Sequence, residues 1–485
     1  MTDEGPDDSE DAGAKPSLLK RLSRVFRREP KGEPVQLTAA PTSVTANARV
    51  VWEGKPFLMT LGDVTLEFHP DLAIDGSERG RIREWIIRRR AQASDGLPRF
   101  IRLASNDAVI LGRQDDLQTQ LFAYDPTVGD RHVRIDSRAG SLIIQPLDAE
   151  RTILLSALEA RSGLWAARQD SLRDLPKVLG RPISPFDDAE ALEVIREVNE
   201  IIATEPYREP NDDGIPGGII RFPDDMPVVI MGDVHARVNN ILRVMSEGGI
   251  LAALERDKIC LVFLGDLPHS EASDELEDMA SSVFVLDVFL MLKLRFPKNI
   301  FYIHGNHESF STDVAKGGVP QGVLFRKHLE KHRGKAYLSE VEALFDKLAY
   351  IIQGNGFAAC HGAPVRSAVD RRTLVNIRRY PGLQQEIVWN RLRQRNRPAG
   401  YGKGSIKRFR RTLGLAKHAP IIVGHTPMSK NETIWMNVGD IQGHHIVYSA
   451  HINRLAVFLA SSGHVWPLEF IPDQALALLD EQQCV

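Results

Sequence analysis

The spacing of apolar and polar positions changes character along the chain. Between about residues 48 and 155, short β-rich runs (ARVVWEG, FLMTLGDVTLEF, RFIRLAS, AVILGR, TQLFAY, RHVRID, SLIIQPL and RTILLS) alternate with turns, the pattern of a small β-sandwich. A charged stretch from Arg81 to Ala91 reads as a helical insert among them. From about 156 to 215 the period becomes helical, with Leu175, Val178 and Leu179, then Ala191, Leu192, Val194, Ile195, Val198 and Ile201 at helix spacing. The run PNDDGIPGG, 210 to 218, is a turn and linker signal.

From Ile219 onward, apolar runs too short for helices (VVIMGD, CLVFLGD, NIFYIHGN, GFAACHG and PIIVGH) alternate with helical stretches such as Asn239 to Leu254 and Ser282 to Leu294. Each run ends in glycine or a polar residue. Such alternation predicts an α/β unit whose strand ends gather on one rim, where α/β enzymes place their chemistry. The chain therefore divides into a tail (1–45), a small all-β module (46–155), a helical connector (156–218), an α/β domain (219–475) and a C-terminal tail (476–485).

Composition narrows this picture. With 485 residues, 43% hydrophobic and 26% charged, the chain reads as a soluble protein with more than one core. A net charge of -3 gives no global pull toward nucleic acid, and no stable nucleic-acid binding is expected. Cys260, Cys360 and Cys484 are widely spaced and form no disulfide framework, which fits a reducing compartment. The longest apolar stretch, Ser281 to Leu294, carries Asp287 and Lys293 and falls short of a membrane span. The acidic N-terminus leads into no signal-type apolar core, so a cytoplasmic location is expected. Within the tail, Pro16 to Arg28 places Leu18, Leu19, Leu22, Val25 and Phe26 at helical spacing among basic residues. Such a helix suits peripheral contact with an anionic membrane, a partner, or its own protein.

In the β module, Leu111-Gly112-Arg113, Arg131-His132-Val133-Arg134-Ile135 and Ser141 to Ile144 faintly resemble a forkhead-associated domain, a sandwich that reads phosphothreonine. Gly129 and Asp130 replace the serine and arginine that usually precede the histidine, and Glu150-Arg151 replaces Asn-Gly. An acid beside a weakened phosphate pocket disfavours phosphopeptide capture, and an interaction or regulatory module that binds a partner protein is the alternative.

The α/β strand ends carry a coherent donor set: Asp233 and His235, Asp266, Asn306 and His307, His361, and His425. Carboxylate, carboxamide and imidazole donors without thiolates suit borderline or harder divalent ions such as Mn, Fe, Zn or Ni. One Asp between two ligand groups can bridge a pair of ions. Glycine beside each donor permits close approach.

In order along 219–470, GDVH, GDLPH, GNHE, CHG and GHT resemble the calcineurin-like metallophosphoesterase superfamily, closest to its phosphoprotein phosphatase branch, which includes serine/threonine and diadenosine tetraphosphate phosphatases. The resemblance implies a β-sandwich flanked by helices, with HHIVYSAH, RLAVFLAS and VWPLEFI closing its second sheet. It implies Asp233, His235 and Asp266 as ligands of a first metal, and Asp266, Asn306, His361 and His425 as ligands of a second, manganese being favoured. It further implies attack on phosphorus by a metal-bridging hydroxide, with His307 protonating the leaving oxygen because its ordinary pKa near neutrality suits that task.

The departures bear on substrate. Ala236 replaces a glycine. His269 and Ser270 stand where the family has an acid that orients the catalytic histidine and an arginine that grips phosphate. Glu271, Asp274, Glu275, Glu277 and Asp278 are candidate replacements for that acid, as is His269 itself acting as a neutral acceptor. His304 replaces a second phosphate-gripping arginine. Thirteen Arg and Lys residues between Arg371 and Arg411, Arg391 foremost, offer a substitute cation supply or a solvated surface. The expected activity is phosphomonoester hydrolysis, on phosphoserine or phosphothreonine in proteins. Alternatives are hydrolysis of a dinucleoside polyphosphate or nucleotide, and a phosphopeptide-binding adaptor with a decayed site.

Overall fold

Alternate burial governs the N-terminal strands. In Phe57–Leu61 the inward residues are Phe57, Met59 and Leu61, and antiparallel pairing with Val64–Leu72 stacks Phe57 on Phe68 with ring centroids 4.7 Å apart. A computed structural model describes residues 32–52, 55–72, 81–90, 99–114, 120–138, 140–158, 164–394, 399–472 and 474–483. The expected helix of Leu18 to Phe26, Arg395, Arg397 and Cys484 lie outside the described residues. The chain separates into two compact units, Met1–Arg90 with Ile101–Ala160, and Ala91–Phe100 with Arg161–Val485.

The first unit is built on two sheets. One orders Glu33–Pro34, Ala48–Val51, Ser141–Pro146, Val133–Arg138 and Ala108–Leu111. The other orders Thr42–Ser43, Ile153–Ala157, Phe57–Leu61, Val64–Leu72, Ile82–Arg89 and Phe100–Ala104. Ile82–Arg89 is thus a strand and not the expected helical insert. Trp85 and Ile87 are fully buried, while Glu84 and Arg88 on the opposite face pair with Arg102 and Glu67. A charged sheet face that alternates with a buried one outweighs the helical tendency of a charged sequence.

The second unit has a seven-stranded and a five-stranded sheet. The five-stranded sheet centres on Val228–Met231, which runs parallel to Cys260–Phe263 and antiparallel to Leu455–Ser461; Ile300–Tyr302 and His464–Phe470 form its edges. The seven-stranded sheet orders Arg208–Pro210, Pro216–Arg221, Ile351–Gly354, Phe357–Cys360, Ile421–Val423, His444–Val447 and Ile434–Trp435. One apolar cluster mixes both sheets (Ile230, Val262, Phe301 and Phe458 with Ile220, Ile352 and Ile422), so the main core lies between them. The last three apolar runs do not close one sheet together: His444–Val447 joins the seven-stranded sheet, and Leu455–Ser461 and His464–Phe470 join the other.

Three further expectations are corrected. The stretch Asn239 to Leu254 is two helices, Val238–Met245 and Ile250–Glu255, separated at Gly248 and Gly249, both with positive φ. Residues 210 to 218 lie in a hairpin whose two strands edge the seven-stranded sheet. The helices Leu164–Leu179 and Asp188–Ala203, expected as a connector, belong to the second unit.

A buried ion cluster braces the strand that leads to the site. Lys293, on the helix Ala280–Arg295, places Nζ 2.6 Å from Glu205 Oε1 and donates to the carbonyls of Ile300 (2.7 Å) and Pro297 (3.1 Å). Arg208 shares Glu205 at 3.0 Å. Lys293→Met leaves these acceptors short of a donor, and we expect a loss of ~3 kcal/mol in urea unfolding, since breaking a buried pair costs several kcal/mol. Wild-type stability in that variant would refute the bracing role.

Candidate metal centre

Each donor stands where a buried strand runs out. Val228–Met231 ends at Gly232, whose N–H is taken by Ser449 Oγ at 2.9 Å, and Asp233 then bridges to Tyr448 of the other sheet. Next to it, the N–H groups of Val234 and His235 donate to the Asp266 carbonyl at 3.1 and 2.9 Å, so the loops after two neighbouring strands are locked together. His235, Ala236, Asp266, His269 and His425 all have φ between +46° and +69°. Left-handed backbone costs a non-glycine residue ~1–2 kcal/mol, and such strain collects at functional sites. Ala236, at the family's glycine position, carries this cost directly. Gly265 is required by space as well as by its φ of +100°, because a Cβ there would meet the Gly305 nitrogen at 2.5 Å.

These turns bring the donors to one point. His235, Asp266 and His307 offer atoms within 4.8 Å of one another, as do Asp266, His361 and His425. Asp266 is common to both groups. Its Oδ2 lies 3.3 Å from His361 Nε2, 3.9 Å from His235 Nε2 and 4.0 Å from His307 Nε2. Asp233 Oδ2 is 3.8 Å from His235 Nε2, and Asn306 Oδ1 is 2.9 Å from His361 Nε2. His425 is tied to the same point through its N–H, which donates to both oxygens of Asp233 at 2.9 and 3.0 Å.

A second layer of contacts aims these side chains. His235 Nδ1–H donates to the His269 carbonyl at 3.0 Å and His361 Nδ1–H to the Leu264 carbonyl at 2.8 Å, which turns both Nε2 lone pairs inward. Glu308 accepts from the N–H groups of Gly305 (2.7 Å), Asp266 (2.9 Å) and Leu267 (3.1 Å) and from the Tyr302 hydroxyl, fastening two donor loops to each other. Burial, reinforced by the Asp266 charge, pushes the Glu308 carboxyl up to about 7.

The cluster crowds charged groups in a buried place. Burial pushes the Asp233 carboxyl up to about 6. Burial opposes charge on His361, yet the Asp266 and Asp233 carboxylates outweigh it and hold that ring at about 9. His425 Nε2 is buried and has no hydrogen-bond partner. Two carboxylates, a carboxamide and inward imidazole lone pairs, one of them orphaned, fit a pair of divalent cations. The donors would be Asp233, His235 and Asp266 on one side and Asp266, Asn306, His361 and His425 on the other.

His269 occupies the place beside His307, with the two Nδ1 atoms 2.9 Å apart. The five acids of the following loop do not take it: Glu271 faces His235, and Glu275 accepts from Ser270 at 2.6 Å. Burial lowers His307 to about 4 and His269 well below its ordinary value, so both rings are neutral near pH 7, contrary to the expectation of a histidine poised near neutrality. His304 stacks on Tyr350 (centroids 5.1 Å apart) and is lowered by burial to about 4, so it brings no charge to phosphate.

Much of the basic segment is structural rather than a free cation supply. Arg371 pairs with Glu209, Arg372 and Arg379 with Asp212, Arg378 holds the carbonyls of Pro216, Asp346, Lys347 and Leu348, and Arg410 holds those of Ala419, Lys417 and Gln442. What remains is a cleft of ≈ 980 Å³ lined by Arg366, Tyr380, Trp389 and Arg391 among others. It adjoins the cluster, because Trp389 meets His425 edge-on at 5.9 Å and the Arg391 charge helps to depress the His425 pKa after burial. His444 is engaged by Tyr401 (2.8 Å) and the Ile421 carbonyl, as befits a core histidine.

Sequence reasoning left the roles of Glu308, Lys316 and Tyr448 unassigned and weighed Glu271 only as an acid beside His307. Glu308 stood in plain view inside Gly-Asn-His-Glu, whereas Tyr448 and Lys316 gave no signal because loops bring them in from afar.

Residues 226–455 match the model of the calcineurin-like phosphoesterase family. The chain is 28% identical over 206 residues to the serine/threonine-protein phosphatase PP2A-like PPG1 of Candida albicans, covering 41% of this chain and 42% of that protein. It is 29% identical over 175 residues to the serine/threonine-protein phosphatase 4 catalytic subunit of Saccharomyces cerevisiae, covering 34% of this chain and 50% of that protein. Both matches thus span half or less of the relative's length. A solved serine/threonine phosphatase from Saccharomyces cerevisiae, described as similar to human phosphatase PP5, superposes with a TM-score of 0.45 at 16% identity, covering 61% of this chain and 92% of that one. Among the described residues, no helix is long and apolar enough to cross a membrane. The stretch that holds both donor groups is the stretch, residues 226–455, that matches the calcineurin-like phosphoesterase model.

Proposed function

We propose that the protein is a metal-dependent phosphoesterase that hydrolyses phosphomonoesters, with phosphoserine or phosphothreonine in proteins as the favoured substrate class. The observation that carries this reading is Asp266, one buried carboxylate shared by two donor groups. When bound, two divalent ions supply Lewis acidity, offsetting charge on the phosphoryl oxygens and making water a better nucleophile. The chain's own residues do the rest. Glu308 and the carbonyls of Leu264 and His269 fix the donor loops and imidazole faces. His307 Nε2, directed at Asp266, is placed to deliver a proton to the leaving oxygen.

Hydrolysis of a nucleotide or dinucleoside polyphosphate is the second reading. It is favoured by Ser270 and His304 in place of guanidinium groups, and by the aromatic walls Tyr380 and Trp389 beside Arg391 in the adjoining cleft. The N-terminal unit is read as a module that directs the enzyme to a partner protein.

Purified protein with added Mn²⁺ is expected to turn over p-nitrophenyl phosphate, and no turnover with any of Mn²⁺, Fe²⁺, Zn²⁺ or Ni²⁺ would sink the reading. Arg391→Ala should raise KM for the true substrate by ~10-fold with little change in kcat, the mark of a group that binds ground and transition states alike. Comparing phosphopeptides with diadenosine tetraphosphate in both proteins separates the two substrate classes.

A further inference from the structure

The loop after Cys260–Phe263 delivers a carboxylate that the donor set above does not use. Glu271 Oε1 lies 3.5 Å from His235 Nε2, closer than Asp233 Oδ2 at 3.8 Å or Asp266 Oδ2 at 3.9 Å. Because His235 Nδ1 is committed to the His269 carbonyl, Nε2 is the atom that faces an ion. Neighbouring donor atoms on one cation, with bonds of about 2.0–2.2 Å, sit about 2.8–3.6 Å apart, so Glu271 Oε1 stands at donor spacing from His235 Nε2.

Its remaining contacts are those of an anchored donor. Lys316 Nζ is 2.6 Å from Oε1, and the Tyr448 hydroxyl donates to Oε2 at 2.6 Å. Each oxygen therefore has one outer partner that fixes the carboxylate plane, the support ligating carboxylates receive from the protein around them. The anchors come from independent places. Lys316 lies in a turn closed by its pairing with Val319, and Tyr448 bridges the backbone of Asp233. A carboxylate that served only to neutralise surface charge would have no need of two such fixings at the edge of a buried ligand.

We propose that Glu271 is a further ligand of the first metal, completing a site of three carboxylates (Asp233, Asp266 and Glu271) and one imidazole. This inference rests on the reading of the cluster as a metal centre. Its consequence is selectivity: a site weighted toward anionic oxygen favours a harder ion such as Mn²⁺ over Zn²⁺ there, while the second site, with two imidazoles and a carboxamide, is weighted toward nitrogen.

The test is calorimetric titration of chelator-stripped full-length protein with Mn²⁺. Wild type is expected to show two sites. Glu271→Gln keeps the shape of the side chain and should weaken one site by ~10–100-fold while sparing the other. That site should be the one weakened by His235→Ala and not the one weakened by His425→Ala, and Glu271→Gln combined with His235→Ala should lose less than the sum of the two. Lys316→Met, which leaves the carboxylate in place, should weaken the same site by a smaller factor. Wild-type affinity at both sites in Glu271→Gln overturns the proposal, as does an equal loss at both. If wild type binds no Mn²⁺ at all, the metal-centre reading itself falls. If Asp266→Asn loses binding and Glu271→Gln does not, only the assignment of Glu271 falls.

Discussion

Asp266→Asn is expected to cut kcat toward p-nitrophenyl phosphate by on the order of 10³, about 4 kcal/mol of barrier, without unfolding the protein. The substitution is nearly isosteric. Its remaining oxygen can still accept the His307 N–H, which Asp266 Oδ1 now takes at 2.8 Å. What changes is the other atom. In place of Oδ2, which faces His361, His235 and His307 at 3.3 to 4.0 Å, stands an NH₂ group whose protons point to where both ions would sit. In the proposed two-ion site a single change would therefore remove a donor from both ions at once, whereas Asp233→Asn would remove one from the first. The check is activity and bound metal measured on the same sample, with near-ultraviolet circular dichroism as the control for folding. Undiminished turnover in Asp266→Asn would exclude a reaction that depends on this cluster.

Much of the site was legible because its chemistry sits at element ends that the apolar pattern marks. A run such as VVIM can only be a buried strand, a glycine follows where backbone and carboxylate must come close, and the polar residue after it has nowhere to go but the rim. Recurrence of that design along the chain picks out the candidate donors, which the fold brings to one point. Charged strands are harder to read. Ile82–Arg89 carries enough arginine to look helical, and its alternation becomes visible only once Trp85 and Ile87 are known to be buried.

The basic segment is hard to read for a related reason. A count of arginines registers charge but not the acids and carbonyls that other elements bring to them, so the segment reads as a cation supply or a solvated surface where Arg371, Arg378 and Arg410 tie one element to another. The acidic loop after Ser270 shows the converse. Its five acids are equivalent in sequence, and only Tyr448 and Lys316, distant along the chain, select Glu271 among them. Loops have no period, and their partners are set by the fold they close.

His269 is where chain-specific chemistry enters the proposed reaction, and substitutions there and at His307 should separate positioning from proton transfer. A neutral pair joined through Nδ1 atoms needs one Nδ1–H and one lone pair. His269 Nε2 is buried and faces no acceptor, so its proton belongs on Nδ1, which makes His307 Nδ1 the acceptor and leaves the His307 proton on Nε2. A carboxylate in the place of His269 would demand the opposite tautomer and favour the imidazolium. Beside neutral His269, His307 must first take up a proton from solvent before it gives one to the leaving oxygen, since a neutral imidazole that lost its Nε2 proton would be left as imidazolate. Loss of that proton matters in proportion to the basicity of the leaving oxygen, so His307→Ala should lower kcat by ~10²–10⁴ on an alkyl phosphate and far less on p-nitrophenyl phosphate. His269→Ala should shift the same ratio in the same direction by a smaller factor, with KM little changed, because His307 remains but its Nδ1 partner is gone. His269→Phe keeps the packing on Phe325, whose ring stands edge-on to His269 at 5.2 Å, and removes only the hydrogen bond. If it reproduces the alanine effect, the Nδ1 contact is responsible; if both variants slow the two substrates equally, His269 is packing and His307 does not give up a proton in the slow step.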